Sequence, residues 1–258
     1  MLINGTFDSV GELRGHGTQI QTGKLNNRGH MVLDKGASLV AQRFATNTGH
    51  MELRQATANG GQIFANAPGA VLILDNANLN AVVLSMQGTL RGAGVLNGEV
   101  HQFGTLAPGQ SPGTIEINGD FIAEHGSTLS IEFAGLEEDE FDVLEVHGDA
   151  TLGGTLEIRF LDGFLSKRGD LLVFLAVDGA LEGAFMQILF PGLAPGFDFT
   201  AQFVDGKFAI AALSDASAVP LPSSLVLLGG GIAVLARRRR GADQHVWRRR
   251  ALCSVLRG

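Results

Sequence analysis

The stretch NNRGHMVL at residues 26–33 recurs as TNTGHMEL at residues 46–53, so that Asn27, Gly29, His30, Met31 and Leu33 reappear twenty positions later as Asn47, Gly49, His50, Met51 and Leu53. A third copy, NAPGAVLIL from Asn66, keeps its glycine at Gly69, and a gapped echo joins ELRGHG around Gly15 to TLRGAG around Gly92. A period near twenty, carried by short alternating strands broken at Gly and Asn, is the spacing of a solenoid. One coil cannot enclose a core, so its inward side chains must be buried against the next coil. Leu33, Leu39, Leu53, Ile63, Leu72, Leu74, Leu79, Val83, Leu90 and Leu96 are predicted to fill that interior. Asn27, Asn47 and Asn66 are predicted to stack as an amide ladder at the turns. The reading is all-β, with parallel β-helix repeats over residues 1–107. A β-sandwich is the alternative, because Asn4-Gly5, Asn59-Gly60, Asn97-Gly98 and Asn118-Gly119 are pairs that suit tight hairpins.

Composition agrees with many short strands. The chain holds 36 Gly, only 17% charged residues and no Tyr. Its net charge of −7 conceals an asymmetry: residues 1–236 carry eleven Lys and Arg against twenty-five Asp and Glu, a balance of −14. An acidic body of this kind argues against nucleic acid as a partner, since phosphate binding requires a basic face. The sole cysteine, Cys253, falls in the last residues, so the body has no disulfide to draw on and its stability must come from stacking.

The rhythm changes at FGTLAPGQSPGTIEINGDF, residues 103–121, where Pro108-Gly109 and Pro112-Gly113 suit successive tight turns. GSTLSIEF follows from Gly126, then FDVLEVHGDATLGGTLEIRF over residues 141–160. These strings resemble the C-terminal part of autotransporter-type β-helical passengers, a likeness that covers about residues 88–160 and implies a surface-exposed stalk. From Asp170 to Leu213 the chain is rich in Phe, at positions 174, 185, 190, 197, 199, 203 and 208. These residues read as a cap over the last coil, the alternative being an aromatic sugar-stacking face. Residues 108–213 are accordingly assigned to the passenger-like β region and cap, and residues 214–218 to a polar linker.

Next comes VPLPSSLVLLGGGIAVLARRRR, residues 219–240. Its uncharged run comprises Leu225, Val226, Leu227 and Leu228, then Gly229, Gly230 and Gly231, then Ile232, Ala233, Val234, Leu235 and Ala236. These twelve residues make roughly 18 Å of helix, and counting from Val219 gives roughly 27 Å, marginal for a hydrocarbon core of about 30 Å. The basic stop Arg237, Arg238, Arg239 and Arg240 stays cytoplasmic, so the preceding residues face away from the cytoplasm. The order Val219, Pro220, Leu221, Pro222, apolar run and arginines resembles the PEP-CTERM sorting signal of Gram-negative bacteria, which also circulates as an ice-binding-protein C-terminal domain. Leu221 stands where that family carries Glu. The resemblance implies an exosortase as processing partner, transit through the inner membrane, and delivery to the cell surface or exopolysaccharide matrix. Residues 241–258 are read as a basic cytoplasmic tail. Met1 begins directly in MLINGTFDSVG without a leader, so an exported chain is expected to start further upstream.

Catalytic signatures are sparse. No phosphate loop, His-Glu-x-x-His or nucleophile elbow is present, and no cofactor is expected. His30 and His50 recur in register but show no carboxylate companion at matching positions, so they read as repeat-borne surface residues and no metal site is assigned. Glu137, Glu138, Asp139, Glu140 and Asp142 form an acidic run without the alternating spacing of a calcium loop. Asp75, Glu99 and Glu116 are carboxylates that a polysaccharide lyase or hydrolase would use, though no spacing singles them out. The threonines are not expected to form the flat Thr-x-Thr array of an ice-binding face. The sequence thus predicts a non-enzymatic, exported β-helical protein sorted through its C-terminal tag. The alternatives are a permanently anchored, single-span polysaccharide-binding adhesin and a β-helix lyase or hydrolase.

Overall fold

A computed structural model describes residues 2–109, 112–137, 139–204 and 206–219. The chain divides at Ala218 and Val219 into two units, and the account below concerns the first. Its described residues form 22 strands hydrogen-bonded into one continuous sheet that coils as a β-solenoid, without a helix. The β-sandwich alternative is overturned, because strand pairs run parallel from coil to coil until the last turn.

Each coil has three sides. His30–Asp34 forms one, stacked between Glu12–His16 and His50–Arg54. The strand Ser38–Asn47 supplies the other two, because its register slips midway: Ser38 to Ala41 pair with Gln19 to Thr22, and Phe44 to Asn47 with Lys24 to Asn27. Side chains alternate in and out along each side, as strand geometry requires. The inward set forms columns. Met31, Met51, Leu72, Leu90, Leu106, Leu129 and Leu156 lie directly above one another, each at most 2% exposed. Burying an aliphatic side chain of this size contributes about 1.5–3 kcal/mol, so the column is a main source of cohesion between coils.

The recurring Asn and Gly have separate causes. Asn27 Nδ2 donates to Asn47 Oδ1 at 2.8 Å, and Asn47 Nδ2 donates to Asn66 Oδ1 at 2.8 Å. All three are fully buried, and the ladder pairs the Asn47 and Asn66 amides in full, while Asn27 Oδ1 at its end has no hydrogen-bond partner among the described residues. Gly29 and Gly49 recur because backbones meet there. A Cβ on Gly49 would lie 2.2 Å from the Gly29 carbonyl oxygen, and one on Gly29 would lie 2.0 Å from that of Gly11.

Several sequence expectations are corrected. Ile63 and Val83 are not interior: they pair with each other in an outer column that also contains Lys24 and Phe44, while Phe64 and Leu84 take the inward positions. A shift of one residue reverses a strand's faces, and a run such as Ala81-Val82-Val83-Leu84 hides the phase. Gly69 is not in register with Gly49, because Asn66 pairs with Asn47 whereas Val71 pairs with His50, leaving the turn two residues longer than its counterpart. The Asn-Gly pairs are not hairpins. Asn59, Asn80, Asn97 and Asn118 align at a second corner, with Asn97 Nδ2 donating to Asn80 Oδ1 at 2.6 Å and Asn118 Nδ2 to Asn97 Oδ1 at 2.9 Å. Gly119 follows because a Cβ there would lie 2.3 Å from the Gly98 carbonyl oxygen.

The stack ends differently from how it runs. Leu171–Val177 pairs antiparallel with Lys207–Ala212, which in turn pairs antiparallel with Phe199–Val204. This hairpin closes over Phe174 and Phe208, whose rings meet edge to face at 5.7 Å, with Phe185 against Phe208 at 5.6 Å. Phe190 packs on Phe197 and Phe199, both at 4.9 Å between centroids.

Candidate functional site

In a strand, residues i and i+2 share a face, so each outer side of the solenoid is a grid of columns. On the side containing His30–Asp34, one column runs Glu12, His30, His50, Val71, Thr89, Thr105, Thr128 and Thr155. The next runs Arg14, Val32, Glu52, Ile73, Arg91 and Ala107, where the pairing ends, and Ser130 pairs with Glu157 further along. Four threonines therefore align in one column, but the neighbouring positions are not threonine, so no Thr-x-Thr array forms on this side. Strands that read TLRG, TLAP, TLSI and TLEI are brought into register by coil lengths that the eye does not measure.

The pair His30 and His50 also departs from its reading. Glu52 supplies the carboxylate companion that the sequence comparison missed. Its Oε1 lies 3.1 Å from His30 Nε2 and 3.0 Å from His50 Nε2, and Oε2 accepts from Arg54 Nη2. The two rings meet edge to face with centroids 4.6 Å apart. Burial pushes the Glu52 carboxyl up, but the hydrogen bond from His30, the charge of Arg54 and the contacts from His50 and Arg54 outweigh it, leaving its pKa below the ordinary value. The signal was present as His50-x-Glu52, two residues apart on one strand; aligning the repeat copies concealed it, because the position before it in the stack is Val32.

Beside this cluster the grid has a notch. The strand Thr105–Pro108 stops short of its neighbour Thr128–Phe133, and Gly109, at φ 91°, turns the chain back so that its N–H donates to the Gly92 carbonyl at 2.7 Å. A groove of about 670 Å³ results, lined by Glu52, Arg54, Asp75, Arg91, Glu132 and Asp142 among others. Asp142 is 1% exposed; its Oδ1 accepts from the Gly113 N–H at 3.0 Å and its Oδ2 from the Glu132 N–H at 2.9 Å. Burial pushes its pKa up from 3.8 to about 7, against those two hydrogen bonds and with help from the Glu132 charge. Asp142 thus ties the Pro112-Gly113 turn to the neighbouring strand, a role distinct from the acidic surface run in which the sequence placed it.

The three carboxylates weighed for glycan cleavage are not brought together. Asp75 lines the notch, Glu116 lies on the second side beside His147 at 3.5 Å, and Glu99 lies on the third, 2.7 Å from His101. His147 also meets Asp178 at 2.6 Å, and that contact raises its pKa. Of the Phe residues, Phe174 and Phe208 are buried, whereas Phe203 is 45% exposed.

The sorting tag begins where the described residues end. Ala218 bridges Leu193 in antiparallel fashion, and Val219 is 53% exposed. Pro220, Leu221, Pro222, the apolar run Leu225 to Ala236, the stop Arg237 to Arg240 and the tail 241–258 lie outside the described residues. Among the described residues no helix is long and apolar enough to cross a membrane. Residues 218–240 match the PEP-CTERM protein-sorting motif. The motif indicates an exported protein sorted by an exosortase, a membrane enzyme. Neither the curated proteins nor the solved structures yield a match to the chain.

Proposed function

We propose that the chain is a non-enzymatic structural protein of the cell surface or extracellular matrix, delivered and released through its C-terminal tag. The observation that carries this reading is the PEP-CTERM match at residues 218–240, placed directly after a β-solenoid that ends at Ala218. A sorting tag needs an apolar segment long enough to engage the inner membrane and a basic stop to halt there, and residues 219–240 carry both in that order. The marginal length of the run suits a transient membrane segment that is afterwards removed. The likeness of residues 88–160 to β-helical passengers supports a stalk-like surface role. Asp75, Glu99 and Glu116 stand on three different sides, and both oxygens of Asp142 are bound to backbone N–H groups, which supports a structural role for these acids.

The test is fractionation of an exosortase-bearing Gram-negative host expressing the protein from its complete gene. The protein is expected outside the cytoplasm, and removal of residues 219–240 is expected to abolish surface retention. A wholly cytoplasmic, soluble product would contradict the proposal. Exopolysaccharide is the matrix partner we infer, and co-sedimentation of the full chain with polymer from the same host tests that inference.

A further inference from the structure

We propose that His30 Nε2, His50 Nε2 and Glu52 Oε1 form a binding site for a divalent transition-metal ion, Zn²⁺ foremost, on the outside of the coil stack. The ligand types are those zinc takes, two imidazole nitrogens and one carboxylate oxygen, and with three protein ligands a fourth position stays open to water. Two of the three ligand–ligand distances fit closely. Metal–ligand bonds of about 2.0–2.1 Å place tetrahedral ligand atoms about 3.3 Å apart. Here the carboxylate oxygen is 3.1 and 3.0 Å from the two nitrogens, and all three atoms lie within 4.8 Å of one another.

The backbone holds this arrangement without the ion. His30 and His50 are directly opposite in a parallel pair, with Glu52 on the same face two residues along, so little chain entropy remains to be lost on binding. Arg54 holds the second carboxylate oxygen, leaving Oε1 directed at the histidines, as outer partners of metal ligands do. The histidine side chains are 39% and 35% exposed, which leaves an entry path. Other His–carboxylate contacts among the described residues each bring a single imidazole: His16 to Asp34, His101 to Glu99 and Glu124, and His147 to Glu116 and Asp178. The twenty-residue repeat is what doubles the imidazole here.

The full-length chain titrated calorimetrically with ZnCl₂ near neutral pH is expected to show saturable micromolar binding. His30→Gln with His50→Gln should weaken it at least about tenfold, and Glu52→Gln alone comparably. Zinc should raise the Tm of the native chain and not that of the Glu52→Gln chain, a readout that stands if the double variant fails to fold. Unchanged affinity in either variant, or no saturable binding by the native chain, would overturn the proposal.

Discussion

The coils up to Gln102 and those beyond it solve the same stacking problem by different means. In the first region equal side chains sit on equal side chains: Asn on Asn, Met on Met, Gly on Gly. His30, His50 and Val71 follow one another at nearly constant spacing. In the second region Thr105, Thr128 and Thr155 are separated by loops that lengthen, and the Asn column gives way through Met86 and Gln102 to Ala123. The later interior is filled by Phe121, Phe133 and Phe174, and the stack ends under an antiparallel hairpin. Repetition specifies the first region, whereas large rings and individual turn contacts specify the second.

That contrast breaks most readily at the cap. Phe174→Ala removes a fully buried ring that meets Phe208, and is expected to cost about 3–5 kcal/mol in urea unfolding. In a stacked protein the damage stays near its source, so hydrogen exchange should rise around residues 171–212 and not around residues 27–54. Asn47→Ala is the converse probe. It leaves the amides of Asn27 and Asn66 without a rung, for an expected cost of about 3 kcal/mol, with exchange rising in the first region only.

Asp142 belongs to the second region's individual contacts. Asp142→Asn leaves an amide NH₂ facing a backbone N–H, at an expected cost of about 2 kcal/mol below neutral pH. Because folding raises this carboxyl from 3.8 to about 7, its contribution is complete below about pH 4, declines as pH rises, and is lost once pH passes about 7. The native chain should therefore lose stability across that range more steeply than Asp142→Asn, as pH-dependent thermal melts would show. The smallest effect is expected at the junction. Gln102 is 1% exposed and neither its Nε2 nor its Oε1 has a hydrogen-bond partner among the described residues. Gln102→Met, matching Met86 below it, should stabilise the chain by about 1 kcal/mol. Destabilisation would show that the amide is satisfied by bound water.

What the sequence made legible follows the same division. Nearly equal spacing, 20 and then 19 residues, let Asn27, Asn47 and Asn66 be placed in one ladder, because a near-constant period converts sequence distance into spatial register. Where the period drifts, that conversion fails. The threonine column and the second Asn corner were both hidden by coil lengths, and Asn97-Gly98 and Asn118-Gly119, which suited hairpins in the sandwich alternative, mark corners. Ile63 and Val83 were misplaced because hydrophobicity alone does not give the phase of a strand. Glu52 escaped notice because comparing repeat copies reveals what recurs, while a binding cluster needs only that unlike groups meet. The notch beside Asp142 arises where a strand ends early at Pro108-Gly109; the sequence marks that turn, but not the groove that opens when the neighbouring strand runs on.

The central claim, that residues 219–240 serve as a sorting tag removed on delivery, is tested most directly by the intact mass of the protein recovered from the surface of exosortase-bearing cells. The account predicts a mature chain that has lost the segment after Pro222 and a chain of full C-terminal length when the exosortase is deleted. A surface-recovered chain that still carries Arg240 in the presence of the exosortase would contradict it.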